Sequence, residues 1–217
     1  VIINSSYGLG ELVVQGKVTP DEFTVFKPSL EAGTSGIIAK DIGSKEVKMV
    51  YGARGGKVVE VDDEDREQTS LTEQEITQLG KWAVQIEKHF SQRHNRDQPM
   101  DMEWAKDGKD GKLYIVQARP ETVHSTADKK LYREYVLAEA PSGELCAGTA
   151  VGTKIATGPV HVITDVKDIG SFKKGEVLVT EVTDPDWEPI MKIASAIVTD
   201  KGGRTSHAAI VSRELGI

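Results

Sequence analysis

A histidine that follows a glycine-rich turn is the first residue whose setting favours chemistry. The segment runs from Ala196–Thr199, typical of a strand, through the turn Asp200–Arg204 to Ser206–Leu215, typical of a helix. His207 therefore falls in the first helical turn, where unpaired N–H groups and the helix dipole favour anions. The same field disfavours a protonated imidazole, and a neutral ring nitrogen can attack phosphorus. The pattern is compatible with a nucleophile that accepts a phosphoryl group, and this is the functional interpretation of His207.

The residues just before this histidine fit the same chemistry. Gly202 and Gly203 permit close backbone approach by a phosphorylated group, and Arg204 adds a positive charge. Either Thr205 or Ser206 can be the helix N-cap, and the sequence does not choose between them. A histidine near a helix start is more often structural or simply exposed, so the pattern alone does not establish catalysis. Four histidines lack such a setting and receive no predicted role: His89, His94, His124 and His161.

A second polar constellation lies on a predicted β-hairpin. Its strands are Met100–Lys106 and Lys112–Arg119, and the segment 107–111 between them has a strong turn composition. A hairpin centred on Lys109 would pair residue 103 with residue 115. Because side chains alternate between the faces of a strand, a register slip of one residue would reverse every side chain.

This register predicts that four polar side chains share one face of the hairpin. Residue 101 would pair with residue 117, two positions along the strand from the pair 103 and 115. The same alternation places Gln117 on the side of Ile115. The four polar residues on the predicted face are Asp101, Glu103, Gln117 and Arg119.

The chemistry of these four side chains suits a metal ion and a phosphate. Oxygen atoms of Glu103 and Gln117 suit Mg²⁺, which usually takes few protein ligands and completes its shell with substrate phosphates. Arg119 can hold a phosphate through two parallel hydrogen bonds. A solvated hairpin whose polar residues face water is the alternative, and the pattern alone favours it.

The remaining sequence indicates two units joined by a linker. Thr72 and Glu75 have the spacing of a capping box at the start of a helix whose apolar stripe is core packing. Strands are predicted at Val160–Ile163 and Val177–Thr180, and a polar linker at 126–145. Short apolar runs near the amino terminus predict further strands: Leu12–Val14, Gly36–Ile38, Val47–Tyr51 and Lys57–Val61.

Composition limits the partners that the protein can have. The 217 residues include 27 basic and 34 acidic side chains, which gives a net charge of −7. This charge argues against nonspecific binding to nucleic acid or to an anionic membrane. Cys146 is the single cysteine, so no intrachain disulfide can form, and a cytoplasmic location is expected. The chain begins at Val1 without a methionine and stops at Ile217, so we expect a piece of a longer protein; a processed mature protein is the alternative.

Several motifs resemble the enzymes that use phosphoenolpyruvate. Gly202–Ile210 resembles the phosphohistidine signature of that family, which includes synthases, pyruvate phosphate dikinases and the first enzyme of the sugar phosphotransferase system. Thr183–Met191 and Tyr7–Glu11 resemble the synthase branch, pyruvate, water dikinase. Val116–Thr122 resembles the end of the family's ATP-grasp domain. These matches follow the family order along nearly the whole chain.

The resemblance implies an α/β (α+β) fold with two parts. Residues 1–125 would be the carboxy-terminal half of an ATP-grasp domain, and 146–217 most of a swivelling phosphohistidine domain. The linker at 126–145 would be the hinge between them. The other half of the ATP-grasp domain and a pyruvate-binding (β/α)₈ barrel would lie outside this chain, so the piece alone is expected to be inactive.

The resemblance also implies roles for individual residues. Glu103 and Gln117 match the family's metal-binding residues, and Arg119 matches its phosphate-binding arginine. The three together would contact the nucleotide. His207 matches the phosphorylated histidine, which Gly202, Gly203 and Arg204 support, and Thr205 matches a threonine that a regulatory kinase modifies in some members.

The implied reaction converts ATP, pyruvate and water into AMP, phosphoenolpyruvate and phosphate, with Mg²⁺ as cofactor and a role in gluconeogenesis. The full-length protein is expected to be a homo-oligomer that a regulatory kinase or phosphatase can modify at Thr205. Ser206 is more usual among the phosphate dikinases, whereas Arg204 is more usual among the synthases. A phosphate dikinase, an antibiotic or glucan phosphotransferase and a noncatalytic phosphocarrier therefore stay open as alternatives.

Overall fold

The computed structural model describes residues 1–53, 55–121, 135–136, 143, 145–152 and 154–217. The predicted linker, 126–145, lies outside these residues except at 135–136, 143 and 145, and His124 also lies outside them. The regular elements of the described residues fall before residue 122 and after residue 159.

Strands and helices alternate along the described residues. The strands are β1 Ile2–Ser5, β2 Asp21–Val25, β3 Ile37–Asp41, β4 Val47–Gly52, β5 Gly55–Glu60, β6 Met100–Lys106, β7 Leu113–Pro120, β8 Val160–Val162, β9 Val177–Thr180 and β10 Ala196–Thr199. The helices are α1 Glu11–Val14, α2 Lys27–Glu31, α3 Asp63–Arg66, α4 Glu73–His94, α5 Glu188–Met191 and α6 His207–Leu215. The mixed α/β class is the predicted one.

The first unit is built on an antiparallel sheet in the order β1–β2–β3. Ile2 pairs with Thr24 and Ser5 with Asp21, so alternate side chains of β1 and β2 point into the core. The β4–β5 and β6–β7 hairpins form separate two-stranded sheets. The buried core members are Ile3, Phe23, Val25, Leu30, Leu71, Ile76, Leu79 and Val84.

Helix α4 supplies one side of this core. The Thr72 side chain accepts a hydrogen bond from the Glu75 amide, and the Glu75 side chain accepts one from the Thr72 amide, which forms the predicted capping box. Asn95 ends the helix in the left-handed conformation, with φ of 51°. Apolar residues at steps of three and four bury one face of the helix. Among the described residues, no helix combines the length and apolar character that a membrane span needs.

A buried ion pair fixes the start of β2. Asp21 and Lys45 are fully buried and are joined through their side chains. The Asp21 carboxylate also accepts hydrogen bonds from the amides of Gly43 (2.9 Å) and Ser70 (2.7 Å) and from the Ser70 hydroxyl. Buried charges require such complete pairing, because an unpaired one would be strongly destabilising. The Thr19–Asp21 segment is thereby held rigidly.

The second unit is built on a parallel sheet in the order β10–β9–β8. Thr180 at the end of β9 pairs with Thr199 at the end of β10. Because parallel strands end at the same edge, the chain segments that follow these two threonines lie next to each other. The buried core of this unit consists of Ile163, Phe172, Leu178, Trp187, Ile190 and Met191.

Most predicted strands occur where the sequence placed them, with one error. Leu12–Val14 belongs to helix α1 instead of a strand, because Gly8 and Leu9 pair with Met49 before it and stop β1 from continuing. Strand β2 was not predicted from the sequence. The buried positions of β2 are separated by Glu22 and Thr24, and the first buried position is itself charged. The segment therefore contains no continuous apolar run that would indicate a strand.

Candidate functional site

Ser206 is the N-cap of helix α6 and makes His207 the first helical residue. The Ser206 backbone is extended, with φ −68° and ψ 161°, and its hydroxyl accepts a hydrogen bond from the Ala209 amide at 3.4 Å. This resolves the choice between Thr205 and Ser206 that the sequence left open. His207 is half-buried at the positive end of the helix dipole, as predicted.

The turn before the helix needs glycine for steric reasons. Gly202 has φ of 102°, and a β-carbon there would lie 2.9 Å from the β-carbon of Ser206. A β-carbon on Gly203 would lie 3.0 Å from the ring of Pro20. Arg213 of α6 donates from Nη2 to the Arg204 carbonyl at 2.7 Å, which ties the turn back to the helix.

Thr183 is the contact of His207 that the sequence analysis did not assign. Its Oγ1 lies 3.0 Å from His207 Nδ1, and Thr183 is only 1% exposed. Thr183 comes shortly after the end of β9. The turn before His207 follows the end of β10, at the same edge of the sheet. Only the pairing of β9 with β10 could have identified this contact, because 24 residues separate the two side chains.

The hydrogen bond to Thr183 restricts which ring nitrogen can react. With its proton on Nδ1, the neutral ring donates to Thr183 Oγ1 and leaves the lone pair of Nε2 free. With its proton on Nε2, the ring accepts from the Thr183 hydroxyl and has no free lone pair. Attack from Nε2 of His207 therefore requires the first tautomer, and Thr183 occupies Nδ1 in either case.

Other residues of the turn are placed as follows. Arg204 donates from Nε to Oε1 of Glu22 at 3.0 Å, so its charge is directed toward the first unit. Thr205 is exposed beside the helix start. The hydrogen bond and charge of Glu181 raise the pKa of Lys201, which therefore stays cationic within the turn.

His161, to which the sequence gave no role, has a structural one. Its Nδ1 lies 2.7 Å from Oε2 of Glu176, and its ring stacks on Phe172 with centroids 5.6 Å apart. The Lys173 amide and then the His161 ring lower the pKa of Glu176, so that carboxylate stays ionised. These contacts involve no residue of the histidine turn.

The β6–β7 hairpin has a different register from the predicted one. Glu103 pairs with Gln117 and Asp101 with Arg119, where the sequence predicted residues 115 and 117 as partners. The turn causes part of this difference. The Asp107 amide donates to the Lys112 carbonyl at 2.9 Å. The centre of the hairpin therefore lies between Lys109 and Asp110, half a residue beyond the predicted centre at Lys109.

A β-bulge accounts for the rest of the difference and changes which side chains share a face. Glu103 pairs with Gln117, but the next residue of β6, Trp104, pairs with Ile115. Val116 therefore has no partner on β6 and is the extra residue of the bulge. Ile115 and Trp104 pack against the core cluster, whereas Gln117 and Glu103 are exposed. The prediction that Gln117 shares a face with Ile115 was therefore wrong.

The four polar residues of the hairpin still gather on one face. Glu103 and Gln117 lie directly opposite each other, and Arg119 Nε lies 3.7 Å from Asp101 Oδ2. Asp101 and Arg119 are 52% and 60% exposed, so this ion pair contributes little and leaves the guanidinium accessible. One carboxylate beside one amide oxygen suits a hydrated Mg²⁺ that completes its shell with phosphate oxygens.

The two constellations are connected only indirectly. Among the described residues, no group of three or more His, Cys, Asp or Glu side chains could hold a metal. In the same part of the chain, no hydrogen bond or ion pair joins the hairpin to the turn before His207. The hairpin packs on α4, whereas the histidine turn contacts the Thr19–Glu22 segment.

Comparison with known families identifies both units. Residues 1–137, more than half of the chain, match the pyruvate phosphate dikinase AMP/ATP-binding domain. The chain belongs to this family. Residues 172–217 match the mobile domain of PEP-utilising enzymes. The predicted order of an ATP-grasp-type part followed by a mobile phosphohistidine part is thereby confirmed.

Several curated relatives match the whole chain. Phosphoenolpyruvate synthases of Aquifex aeolicus and Pseudomonas aeruginosa are each 54% identical over 100% of the chain, and that of Escherichia coli is 52% identical. The matches cover 26%, 27% and 27% of those proteins. The chain thus spans about a quarter of the length of these relatives.

The contact between Thr183 and His207 yields a testable expectation. Replacing Thr183 by the isosteric valine removes the hydrogen-bond partner of Nδ1, so the equilibrium between the two neutral tautomers of His207 should shift. Nitrogen-15 NMR of histidine-labelled protein, at a pH where the ring is neutral, would report the tautomer of His207. Because attack from Nε2 requires the proton on Nδ1, we expect Nδ1–H to be the main tautomer in the parent protein and its share to change in Thr183→Val.

Thr180→Val is the matched control for this experiment. Thr180 is also buried and β-branched, but its hydroxyl points to the Val182 carbonyl. The control should leave the His207 tautomer unchanged. An identical tautomer ratio in the parent protein and Thr183→Val would show that the threonine does not orient the ring.

Proposed function

We propose that the chain is the nucleotide-binding and phosphohistidine portion of a phosphoenolpyruvate synthase. The observation that carries the proposal is His207, the first residue of α6, held at Nδ1 by Thr183 with Nε2 left for reaction. The proposed reaction converts ATP, pyruvate and water into AMP, phosphoenolpyruvate and phosphate. Identity of 54% to two synthases over 100% of the chain supports this activity over the alternatives.

In the first half-reaction, Nε2 of His207 attacks the β-phosphorus of ATP. The N–P bond forms as the bond from the β-phosphorus to the AMP oxygen breaks, and AMP leaves. The ring then carries substituents on both nitrogens, and Thr183 Oγ1 stabilises its positive charge by accepting from Nδ1–H. Water next cleaves the terminal phosphate, which leaves a phosphorylated histidine.

In the second half-reaction, the enolate oxygen of pyruvate attacks the phosphorus on His207. The N–P bond breaks, and phosphoenolpyruvate is released. The N–H group of Ala208, which makes no hydrogen bond among the described residues, and the positive end of the α6 dipole favour the phosphoryl group while His207 carries it. Because one histidine serves two sites, the unit that carries it must move between them, and the linker at 126–145 is the proposed hinge.

Glu103, Gln117 and Arg119 are proposed to bind the nucleotide phosphates. Glu103 and Gln117 would hold Mg²⁺, which supplies charge neutralisation on the phosphate oxygens. Arg119 would donate two parallel hydrogen bonds to a phosphate. The accessible face of the hairpin supports this assignment, since all three side chains are exposed there.

The remaining assignments also rest on the family. We propose a cytoplasmic homo-oligomer that acts in gluconeogenesis, and modification of Thr205 by a regulatory kinase or phosphatase. Thr205 is exposed, and its phosphate would add a charge of about −1.5 to −2 beside His207. That charge would compete with nucleotide phosphates for the same helix terminus. A pyruvate phosphate dikinase is the second candidate, because Ser206 matches those enzymes.

Isotope labelling tests the proposed route of the phosphate. In the full-length enzyme, label from β-³²P ATP should persist on His207, whereas γ label should appear there briefly and leave as free phosphate. The physical reason is that attack on the β-phosphorus carries both outer phosphates onto the ring. His207→Asn should abolish labelling and keep ATP binding, and His161→Asn should keep both. Stable γ label with ADP as product would contradict the proposal.

The role of Arg119 is testable through the two half-reactions. Arg119→Ala should slow histidine phosphorylation from ATP by about 10- to 100-fold, because a charge-assisted contact to phosphate is lost. Phosphorylation of His207 from phosphoenolpyruvate should be spared, since that reaction uses the other site. Arg93→Ala, an arginine near the end of α4, is the control. Equal loss of both half-reactions would assign Arg119 to folding instead.

A further inference from the structure

The turn before His207 meets the first unit through complementary charges. Arg204 Nε lies 3.0 Å from Glu22 Oε1, and Lys201 Nζ lies 3.9 Å from Glu46 Oε2. The cations belong to the turn, and the carboxylates belong to the first unit. Glu22 and Arg204 are 17% and 35% exposed, so water screens this pair only partly.

The backbone of the turn approaches the first unit closely at the same place. The Gly202 amide points to the Thr19 hydroxyl at 3.4 Å. A β-carbon on Gly16, whose φ is 72°, would lie 3.0 Å from the Ser206 β-carbon. The receiving segment is anchored, because the buried Asp21 carboxylate accepts hydrogen bonds from Gly43, Lys45 and Ser70, and the Lys45 amide donates to the Thr19 carbonyl at 3.2 Å.

One feature of this contact surface opposes docking. Asn4 pairs with Glu22 across β1 and β2, and both amide atoms of Asn4 are buried without a hydrogen-bond partner among the described residues. The hydroxyl oxygen of Ser6 is likewise buried without a hydrogen-bond partner among these residues. Asn4 Nδ2 lies 3.5 Å from the position of a β-carbon on Gly203, so the docked turn helps to keep water away from it.

We propose that Glu22 and Arg204 form a reversible latch that positions the His207 turn against the first unit. Partial exposure of the two side chains keeps the pair weak enough to release. This inference rests on the proposed function, since a histidine that serves two sites must dock and leave. It gives Arg204 a positioning role, because its guanidinium pairs with Glu22 while the turn is docked.

Opposite effects are expected from changes at two neighbouring residues. Glu22→Gln removes the charge that Arg204 meets and should favour release of the turn. Asn4→Leu, of similar shape, removes the polar atoms that docking leaves without partners and should favour the docked state. Asn4→Ala serves if the leucine variant does not fold. Glu31→Gln is the control, because Glu31 pairs with Lys88 inside the first unit.

Zero-length carbodiimide crosslinking reports docking without any catalysis. In the full-length protein, Lys201 can couple to Glu46 of the first unit or to Glu181 of its own unit, whose Oε1 lies 2.7 Å away. The ratio of the two products, measured by mass spectrometry, follows the docked fraction. We expect this ratio to fall about fivefold in Glu22→Gln and to rise in Asn4→Leu. An unchanged ratio in Glu22→Gln would overturn the latch.

The half-reactions supply the second readout. Glu22→Gln should slow labelling of His207 from β-³²P ATP by about fivefold and spare labelling from ³²P phosphoenolpyruvate. Asn4→Leu should slow the second reaction instead. Arg204→Gln and the double variant complete a double-mutant cycle, in which the double variant should be no worse than either single one. Additive losses would show that Arg204 acts on phosphate independently of Glu22 and would overturn the pair.

The two readouts separate failure of the latch from failure of the proposed function. If neither ATP nor phosphoenolpyruvate labels the parent protein, the synthase assignment fails, and the crosslink ratio still tests the latch. If both label it and Glu22→Gln lowers both rates equally, the synthase assignment stands and the latch is wrong.

Discussion

The position of His207 depends on how closely the glycine-rich turn can approach the first unit. At Gly16, Gly202 and Gly203, a β-carbon would lie within 3.0 Å of atoms across the contact or within the turn. Because these three positions carry no side chain, Ser206 and the backbone of the turn can pack against the Thr19–Glu22 segment. Since Ser206 also starts α6, the same contact sets the direction in which His207 leaves the turn.

The first unit contributes a buried, fully paired ion pair to this contact, whereas the turn contributes partly exposed charges. The first unit receives the turn on a segment that a buried, fully paired Asp21 holds in place. The turn attaches through partly exposed charges, which are weaker than buried ones and respond to salt. On the proposed function, this division lets the nucleophile return to one defined position without being trapped there.

Local sequence signals predicted local structure well. Strands β9 and β10 lie where the apolar runs placed them, and the Thr72–Glu75 spacing gave the start of α4. His207 at the helix start followed from the strand, turn and helix order. These features depend on neighbouring residues, whose backbone preferences and caps are readable in a short window.

Long-range features could not be predicted in this way. The turn and the bulge at Val116 each shift the partner residues by one position, and the total shift of two keeps Glu103 and Gln117 on one face. The Thr183–His207 bond requires knowing that β9 and β10 are neighbours. Arg204 pairs with Glu22 across 182 positions, and no local pattern indicates that its charge is directed to the first unit.

The central claim is that Thr183 leaves Nε2 of His207 as the reactive nitrogen. Its most direct test is the identity of the phosphorylated atom in the full-length enzyme. Phosphorus-31 and nitrogen-15 NMR of enzyme phosphorylated by phosphoenolpyruvate would distinguish the two ring positions. The account predicts a single phosphoryl group on Nε2. A phosphoryl group on Nδ1 would contradict it, because that nitrogen would then have to leave Thr183 in order to react.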